Sequence, residues 1–457
     1  MGLKKYVEGS QEFDHESFEQ ELKEKNDELN FMREIKKIDA EEQEASLNGI
    51  PFVVKDAICT ENVTTSAGSK ILEDYRPVFD ATVVERLKGE GATFYGKTQQ
   101  DEFGFGSFST NCAFETPRNP HDPERVVGGS SGGAGAIVAA LDHPVISIGE
   151  STGGSITNPA AYNGVVGLTP TYGRVSRHGL VDYANSLDKI GVLAQTVYGA
   201  AKGLEVIAGK DEGDQTTVDR EVEAYSQNLE NISGRLAVPK QYLELEGVEE
   251  GVMENFQKSI DILEEKGFEV EEVDMPLLSA DVAVPAYYVL AMSEASTNLA
   301  KMAGMRYGLE KDPEEFEDFN EYFSEIRSEG FGEEAKRRIL LGTYTRQAGY
   351  RDQYYIKAAE VRTKIINQYR EKFEDYDAVI SPSMPNIAPK IDEAESMSPE
   401  EVYAIDTLTV GPNLAGMPMI SVPNGESRDM PTGLHIVGNH FEEQKVLNIA
   451  DTFMTDQ

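Results

Sequence analysis

Short apolar runs separated by amphipathic stretches recur along most of the chain, and this alternation predicts the α/β class. Apolar positions spaced three or four residues apart predict helices at 81–91, 134–141, 252–266, across much of 287–373 and at the C-terminus. Compact apolar runs predict strands at 50–54, 92–95, 145–148, 164–168, 235–239, 268–273, 377–380, 419–422 and 434–437. The strand, helix and strand of 235–273 form a βαβ-like unit, which predicts parallel pairing of its two strands.

The first 48 residues differ in character from the rest of the chain. Residues 10–46 are highly charged with sparse apolar positions, which predicts one or two surface helices. The polar stretch 209–234 predicts a surface connection rather than a domain boundary. We therefore expect an N-terminal acidic helical segment, 1–48, followed by a single larger domain, 49–457.

The composition limits the classes of protein to which the chain can belong. Hydrophobic residues make up 39%, and no run approaches the ~18 apolar residues of a membrane span. The first residues lack the apolar core of a signal peptide, so we expect a cytoplasmic protein. Two cysteines cannot form a disulfide framework, and the six histidines show no paired metal-ligand spacing, so we expect no metal site.

The charge of the chain is unusual, because 81 acidic and 42 basic residues give a formal net charge of −39. One interpretation is an ordinary acidic protein. The other, which we favour, is adaptation to molar salt, where the Debye length falls to about 3 Å and self-repulsion is screened. Under either interpretation, a nucleic acid substrate would be held mainly by a partner protein.

The largest concentration of candidate functional residues lies between Val126 and Arg174. Two clusters there, GGSSGG at 128–133 and GGS at 153–155, supply hydroxyls and backbone N–H groups that can approach a ligand. No GxxxxGK[ST] pattern is present, which argues against a P-loop. Upstream, Lys55 directly follows an apolar run. Together with Ser130 and Ser155, it forms a nucleophilic set that needs neither histidine nor cysteine.

A lysine can activate a serine only in its neutral form. The pKa of such a lysine must fall from about 10.4 toward about 7, which costs about 4 kcal/mol of desolvation or like-charge repulsion. In this scheme Lys55 is the base, Ser130 relays the proton and Ser155 is the nucleophile. The candidate oxyanion donors are the backbone N–H groups of Thr152, Gly153, Gly154 and Ser155. Taken singly, a lysine after a strand is usually a solvated charge, and a Gly/Ser cluster is usually a loop.

The combined pattern resembles a known family. The run GGSSGG, then TGGSI-x-x-PAAYNGVVGL, preceded by GIP-x-x-VKD, resembles the amidase signature family of Ser-cisSer-Lys hydrolases. Further motifs, among them GLTPTYGRVSRHGLVDYANSLDKIG and NLAGMPMISVP, resemble the glutaminase subunits of aminoacyl-tRNA amidotransferases. The resemblance extends from about Gly49 to the C-terminus. It implies one large mixed β-sheet with helices on both faces.

The resemblance also implies a function and assigns roles to residues. It implies a glutaminase that releases ammonia from glutamine for the partner B and C subunits of the amidotransferase. With ATP and Mg bound at the partner, these convert Asp-tRNA(Asn) or Glu-tRNA(Gln) to the amide form, and this chain needs no cofactor of its own. Lys55 would be the base, Ser130 the bridging serine after a cis peptide, and Ser155 the nucleophile.

Three further residues are assigned to the substrate by the resemblance. Arg338 and Asp406 would hold the carboxylate and amino groups of free glutamine, and Tyr287 would line the pocket. An amino-acid zwitterion is complemented by one buried Arg and one buried Asp, and Arg can hold a carboxylate through two hydrogen bonds. The alternative for Arg338 is an ordinary charge on a helix surface, and for Asp406 it is a solvated helix acid or an N-cap.

The sequence departs from the family pattern near the nucleophile. Ser151, preceded by Glu150, stands where the family usually has aspartate, and Thr157 stands where arginine is usual. The segment between the serine clusters is one residue longer than usual, so counting back from the nucleophile points to Ser131. The first serine of GGSSGG is instead Ser130, which we favour as the bridging residue.

Two other functions fit the same sequence. A free-standing amidase of the same fold would act on another amide and would not need an amino-acid clamp at Arg338 and Asp406. An inactive scaffold protein would only support assembly of a complex, and the presence of Lys55, Ser130 and Ser155 argues against it.

We expect the full chain to unfold or aggregate at low salt, because a net charge of −39 repels itself until ions screen it. Raising KCl from about 0.1 M to about 2 M should raise the melting temperature by about 10 °C, measured by calorimetry. Sorbitol of equal osmolality controls for a general cosolute effect. Equal stability at both salt concentrations would contradict adaptation to salt.

Overall fold

A single sheet of eleven strands runs through the computed structural model, which describes residues 2–9, 11–39 and 45–455. The strands are β1 (Met32–Ile38), β2 (Pro51–Lys55), β3 (Thr93–Thr98), β4 (Ile146–Ser151), β5 (Val166–Thr169), β6 (Lys189–Ala194), β7 (Arg235–Pro239), β8 (Glu269–Val273), β9 (Ala378–Pro382), β10 (Met419–Ser427) and β11 (Met430–Val437).

The order across the sheet is β1-β3-β2-β4-β6-β5-β10-β11-β9-β7-β8. The pairs β3–β2, β2–β4, β9–β7 and β7–β8 are parallel, and the remaining pairs are antiparallel. The predicted α/β class and large mixed sheet are confirmed. The parallel pairing predicted for the βαβ-like unit is confirmed in β7 and β8.

Helices connect and cover the strands. They are α1 (Gly2–Val7), α2 (His15–Leu29), α3 (Thr82–Gly89), α4 (Gly132–Ala140), α5 (Thr157–Asn163), α6 (Val197–Ile207), α7 (Lys240–Leu243), α8 (Glu250–Glu265), α9 (Ala280–Asn298), α10 (Phe319–Gly330), α11 (Glu333–Arg346), α12 (Lys357–Lys372), α13 (Ile391–Ser396), α14 (Pro399–Ala404), α15 (Thr407–Ala415) and α16 (Glu443–Met454). Within the described part of the chain, none of them combines the length and apolar character that crossing a bilayer requires.

The two faces of the sheet carry different helices. Successive strand residues point to opposite faces, and the neighbours Val53 and Val54 in β2 belong to two separate hydrophobic clusters. Val53 packs in a cluster with residues of α2 and α4, whereas Val54 packs in a cluster with residues of α3 and α6. Both faces of this strand are therefore covered, which explains why β2 is apolar throughout until Lys55.

The prediction for the N-terminal region is right for α2 and wrong for β1. Residues 32–38 form a strand that pairs antiparallel with β3 at the edge of the sheet. Its sequence, MREIKKI, has several charged residues and Ile35 partly exposed, as suits an edge strand that must resist further pairing. Phe18 and Leu22 of α2 are fully buried, so this segment contributes to the core. Positions 10 and 40–44 of the predicted helical stretch lie outside the described residues.

The parallel pair β2 and β4 positions the candidate site. Because both strands run in the same direction, their carboxyl ends meet at one edge of the sheet. Lys55 is the last residue of β2, and Ser151 is the last residue of β4. The first Gly/Ser cluster leads into α4, and the second leads into α5. The candidate residues from three distant parts of the sequence are thereby brought to this edge.

Candidate active site

Lys55 is fully buried and hydrogen-bonded to three oxygen atoms. Its Nζ donates to Ser130 Oγ at 2.6 Å, to the Glu150 carboxylate oxygen Oε2 at 2.8 Å and to the Glu150 backbone oxygen at 3.2 Å. Three acceptors match the three protons of an ammonium group. The peptide bond between Gly129 and Ser130 is cis. Ser131 instead donates to the Glu150 backbone oxygen at 2.9 Å, so Lys55 contacts Ser130 and not Ser131.

Ser155 lies beside this group, just before α5. Its backbone oxygen accepts a hydrogen bond from the Ser131 N–H at 3.2 Å, which brings the two Gly/Ser clusters together. Within the described ranges, the Ser155 hydroxyl makes no hydrogen bond. The proton path is therefore formed between Lys55 and Ser130 and is open between Ser130 and Ser155. Such contacts are often long in the absence of substrate and tighten when it binds.

The loop that carries the predicted oxyanion donors is held by two hydroxyls. Ser151 Oγ accepts a hydrogen bond from the Gly154 N–H at 3.2 Å, and Thr157 Oγ1 donates to the Gly154 backbone oxygen at 3.2 Å. The two departures from the family pattern thus both bind Gly154. Because the Gly154 amide is already used, the amides of Gly153 and Ser155 are the better candidates for stabilising an oxyanion.

Tyr287 of α9 packs directly on this loop. A Cβ atom added to Gly153 would lie 2.5 Å from both Cζ and Oη of Tyr287, so only glycine fits there without movement. Gly154 has a φ of +147°, and Thr409 of α15 occupies the space that its side chain would need. Two packed side chains therefore define the shape of the loop.

Arg338 of α11 is buried, with its guanidinium in a cage of aromatic rings. Its Nη1 donates to the Tyr183 hydroxyl at 2.6 Å, and its Nε donates to Glu334 at 2.7 Å. Among the described residues, its Nη2 has no hydrogen-bond partner. The surrounding ring centroids lie 5.1 to 5.6 Å from Cζ and belong to Phe105, Tyr183, Tyr288 and Tyr403. The structure excludes a helix-surface charge and leaves one N–H edge free for an anion.

Asp406 is also buried, just before α15. Its carboxylate accepts hydrogen bonds from the Tyr288 hydroxyl at 2.7 Å and from Ser107 Oγ at 3.0 Å. Burial raises the pKa of Asp406 to about 6, although these hydrogen bonds and the nearby Arg338 oppose the rise. Asp406 is thus not a solvated surface acid. The side chain of Tyr288 contacts both Asp406 and Arg338, so it links the two predicted clamp residues.

The predicted clamp is connected to the loop of the predicted nucleophile by two routes. In α9, Tyr287 packs on Gly153 while its neighbour Tyr288 contacts the clamp. In α5, Asn158 donates to the backbone oxygen of Ser107, whose hydroxyl reaches Asp406. A cavity of about 260 Å³ is lined, among others, by Ser107, Glu334, Arg338 and Tyr403. Lys55, Ser130 and Ser155 do not line this cavity, which lies on the clamp side of the site.

The comparisons with known proteins agree with this geometry. A family model described as "Amidase" matches residues 25–447. The chain belongs to the amidase family. The resemblance seen in the sequence of this amidase is thereby confirmed.

Relatives of this amidase carry a more specific name. The chain is 47% identical over 419 residues, 92% of this chain and 88% of the relative, to the A subunit of the glutamyl-tRNA(Gln) amidotransferase of Archaeoglobus fulgidus. It is 48% identical over 409 residues, 89% of this chain and 83% of the relative, to the protein of that name from Geobacillus sp.. The crystal structure of the corresponding protein from Thermotoga maritima matches with a TM-score of 0.80 at 38% identity, covering 96% of this chain and 91% of that chain.

Several residues of the amidase site were not predicted from the sequence. The acidic Glu334 lies four residues before Arg338 in one helix, a spacing that favours ion pairs and could have indicated it. Glu150 was noted only as a departure, and its contact with Lys55 was not expected. Tyr183 and Asp188 come from loops far away in the sequence, where no local pattern marks them. Across the described residues, no cluster of His, Cys, Asp and Glu is arranged to hold a metal ion.

We expect the variant Gly153→Ala to be destabilised, because the new methyl group would overlap the Tyr287 ring. The free energy of unfolding should fall by about 1–3 kcal/mol, measured by chemical denaturation. Gly89→Ala is the matched control: nothing lies within 4 Å of its added Cβ, so its stability should change by less than about 1 kcal/mol. Equal stability of both variants would mean that Tyr287 does not constrain the loop.

Proposed function

We propose that this chain is the glutaminase subunit of a cytoplasmic aminoacyl-tRNA amidotransferase, which hydrolyses glutamine to glutamate and ammonia through an acyl-enzyme. The observation that carries the proposal is the buried clamp of Arg338 and Asp406 beside a Ser-Ser-Lys set. A general amide substrate would supply no anion for the free Nη2 edge of Arg338 and no cation for the Asp406 carboxylate, which is costly for buried polar groups. A glutamine zwitterion supplies one partner for each.

In the proposed reaction, Ser155 Oγ attacks the carbonyl carbon of the glutamine side-chain amide. Its proton moves to Ser130, and the Ser130 proton moves to Lys55 Nζ, which must be neutral at that moment. The amides of Gly153 and Ser155 stabilise the negative oxygen of the tetrahedral intermediate. The proton returns by the same path to the leaving nitrogen, which departs as ammonia. Water then hydrolyses the acyl-enzyme with Lys55 again acting as base.

The clamp orients glutamine for this attack. The free Nη2 edge of Arg338 binds the α-carboxylate, while Glu334 and Tyr183 hold the guanidinium in place. Ionised Asp406 binds the α-amino group. Because the pKa of Asp406 is raised to about 6, this carboxylate is ionised at neutral pH and becomes neutral as the pH falls below about 6.

Ammonia would be consumed by the partner B and C subunits, with ATP and Mg bound at the partner. The names of the relatives support this assignment, since each is the A subunit of a glutamyl-tRNA(Gln) amidotransferase. The formal net charge of −39 makes this chain a poor ligand for polyanionic tRNA, so the aminoacyl-tRNA is held mainly by the partner. The product is Asn-tRNA or Gln-tRNA according to which misacylated tRNA the partner selects.

Replacing the nucleophile should abolish hydrolysis without changing the fold. For Ser155→Ala, we expect glutaminase kcat to fall by about 10⁴-fold or more, measured as ammonia release with and without co-purified partner subunits. Ser147→Ala is a matched control, because Ser147 is buried on β4 and its hydroxyl has no hydrogen-bond partner. Full activity in Ser155→Ala would mean that another residue is the nucleophile.

Removing the clamp arginine should weaken glutamine binding. For Arg338→Ala, we expect KM for glutamine to rise by about 100-fold or more, because a buried charge-assisted contact is lost. Arg337→Ala is the control, since this neighbouring side chain is 41% exposed and pairs with the other oxygen of Glu334. An unchanged KM in Arg338→Ala, together with hydrolysis of simple amides by the parent, would favour a free-standing amidase.

A further inference from the structure

Next to Lys55 lies a buried pair of carboxyl groups, those of Glu150 and Asp188, that the proposed reaction does not use. Glu150 Oε2 lies 2.8 Å from Lys55 Nζ, and Glu150 Oε1 lies 2.8 Å from Thr152 Oγ1. The same Thr152 oxygen lies 2.8 Å from Asp188 Oδ1. Glu150, Thr152 and Asp188 are each 3% exposed or less. Two carboxyl groups are thus joined through one hydroxyl, away from solvent.

The number of available protons determines which group donates in each of these hydrogen bonds. The Thr152 hydroxyl has one proton, so it can donate to only one of the two carboxyl groups. The other contact requires a proton on a carboxyl oxygen. Burial, together with the charge of Glu150, raises the pKa of Asp188 well above its usual range. The arrangement is complete when Asp188 carries that proton: Asp188 then donates to Thr152, and Thr152 donates to Glu150.

Glu150 and Lys55 form a buried ion pair, with Glu150 Oε2 2.8 Å from Lys55 Nζ. In this pair all three protons of the Lys55 ammonium group are donated, one of them to Ser130. A lysine in that state cannot accept the proton of Ser130. Glu150 Oε2 is the oxygen in place to remove the excess proton, and the resulting carboxylic acid is buried next to Lys55 without unpaired charge.

We propose that Glu150 is a positioning residue that takes a proton from Lys55 and so makes it a base. The Lys55 Nζ–H bond breaks and a Glu150 Oε2–H bond forms. The lone pair left on Nζ then accepts the proton of Ser130 Oγ, which in turn accepts that of Ser155. The inference rests on the Ser-Ser-Lys reaction of the proposed function. It adds a residue that nothing in the family resemblance assigns to this role.

The other ionisable groups near Lys55, Glu150 and Asp188 do not provide an equally direct acceptor for the Lys55 proton. Asp182 lies near Asp188 and adds to the rise in its pKa. Asp101 feels the charge of Lys55, but its carboxylate accepts the N–H groups of Ser109 and Asn111 rather than a proton from Lys55. The Tyr183 hydroxyl accepts a hydrogen bond from Arg338 Nη1 and is thus occupied by the clamp. Within the described residues, Glu150 is the one carboxylate hydrogen-bonded to Lys55.

The test compares Glu150→Gln with the parent in the full chain. Glutamine keeps the size of Glu150 and one of its two acceptor oxygens, but it cannot take up the proton. We expect kcat for glutamine hydrolysis to fall by about 10²-fold across the pH range in which the parent is active, with KM within about twofold. Glu443→Gln is the matched control, because it removes another buried carboxylate whose contact is the Thr171 N–H, far along the chain.

A second readout does not depend on glutamine. The rate at which phenylmethylsulfonyl fluoride labels Ser155, followed by mass spectrometry, reports how well Lys55 and Ser130 activate the hydroxyl. Slower labelling in Glu150→Gln by about 10²-fold supports the inference even if the parent hydrolyses no glutamine, a result that would defeat the proposed function alone. Equal or faster labelling overturns the inference, because Glu150 would then only stabilise the ammonium form. Glu150→Asp, which keeps a carboxylate, should label faster than Glu150→Gln, and equally slow labelling in both variants would mean that Glu150 acts only through packing.

Discussion

The structure depends on keeping one lysine amine buried, hydrogen-bonded and next to a serine. An isolated ammonium group in this position would be too costly to bury, and the cost is offset by the hydroxyl of Ser130 and by Glu150. The partners come from the first Gly/Ser cluster and from β4, so they meet Lys55 only if β2 and β4 pair in parallel with the observed register. A slip of one residue would turn Lys55 to the other face of the sheet.

The proposed substrate clamp consists of other residues, but it is connected to the same edge of the sheet. Arg338 lies in α11 and Asp406 lies just before α15, and each is hydrogen-bonded to a tyrosine hydroxyl. Two adjacent tyrosines of α9 connect the loop of Gly153 to the clamp. Tyr287 packs on that loop, and Tyr288 donates a hydrogen bond to Asp406. A shift of α9 would therefore change the oxyanion loop and the clamp together. This coupling suits an enzyme that must place one particular amide against its nucleophile.

Much of the fold and part of the site could be predicted from the sequence. Compact apolar runs identified most strands because buried strands are apolar on both faces, and small-residue clusters identified the loops around Ser130 and Ser155. The strand β1 was missed because it is rich in charged residues, so its alternation was interpreted as surface helix. Glu150 and Asp188 were missed for another reason. Their importance lies in a contact across 36 residues or more, which no local pattern encodes.

The distribution of charge explains how a chain with a net charge of −39 can have two cationic side chains in its candidate active site. Lys55 and Arg338 are both buried and each has its own carboxylate partner, so the excess of surface acids acts on them only weakly. The same surface acids repel a polyanion at moderate salt. A small zwitterion such as glutamine feels little net force from that field, because its two charges cancel. Under the proposed function, this distribution of charge would admit glutamine and leave tRNA to a more basic surface of the partner.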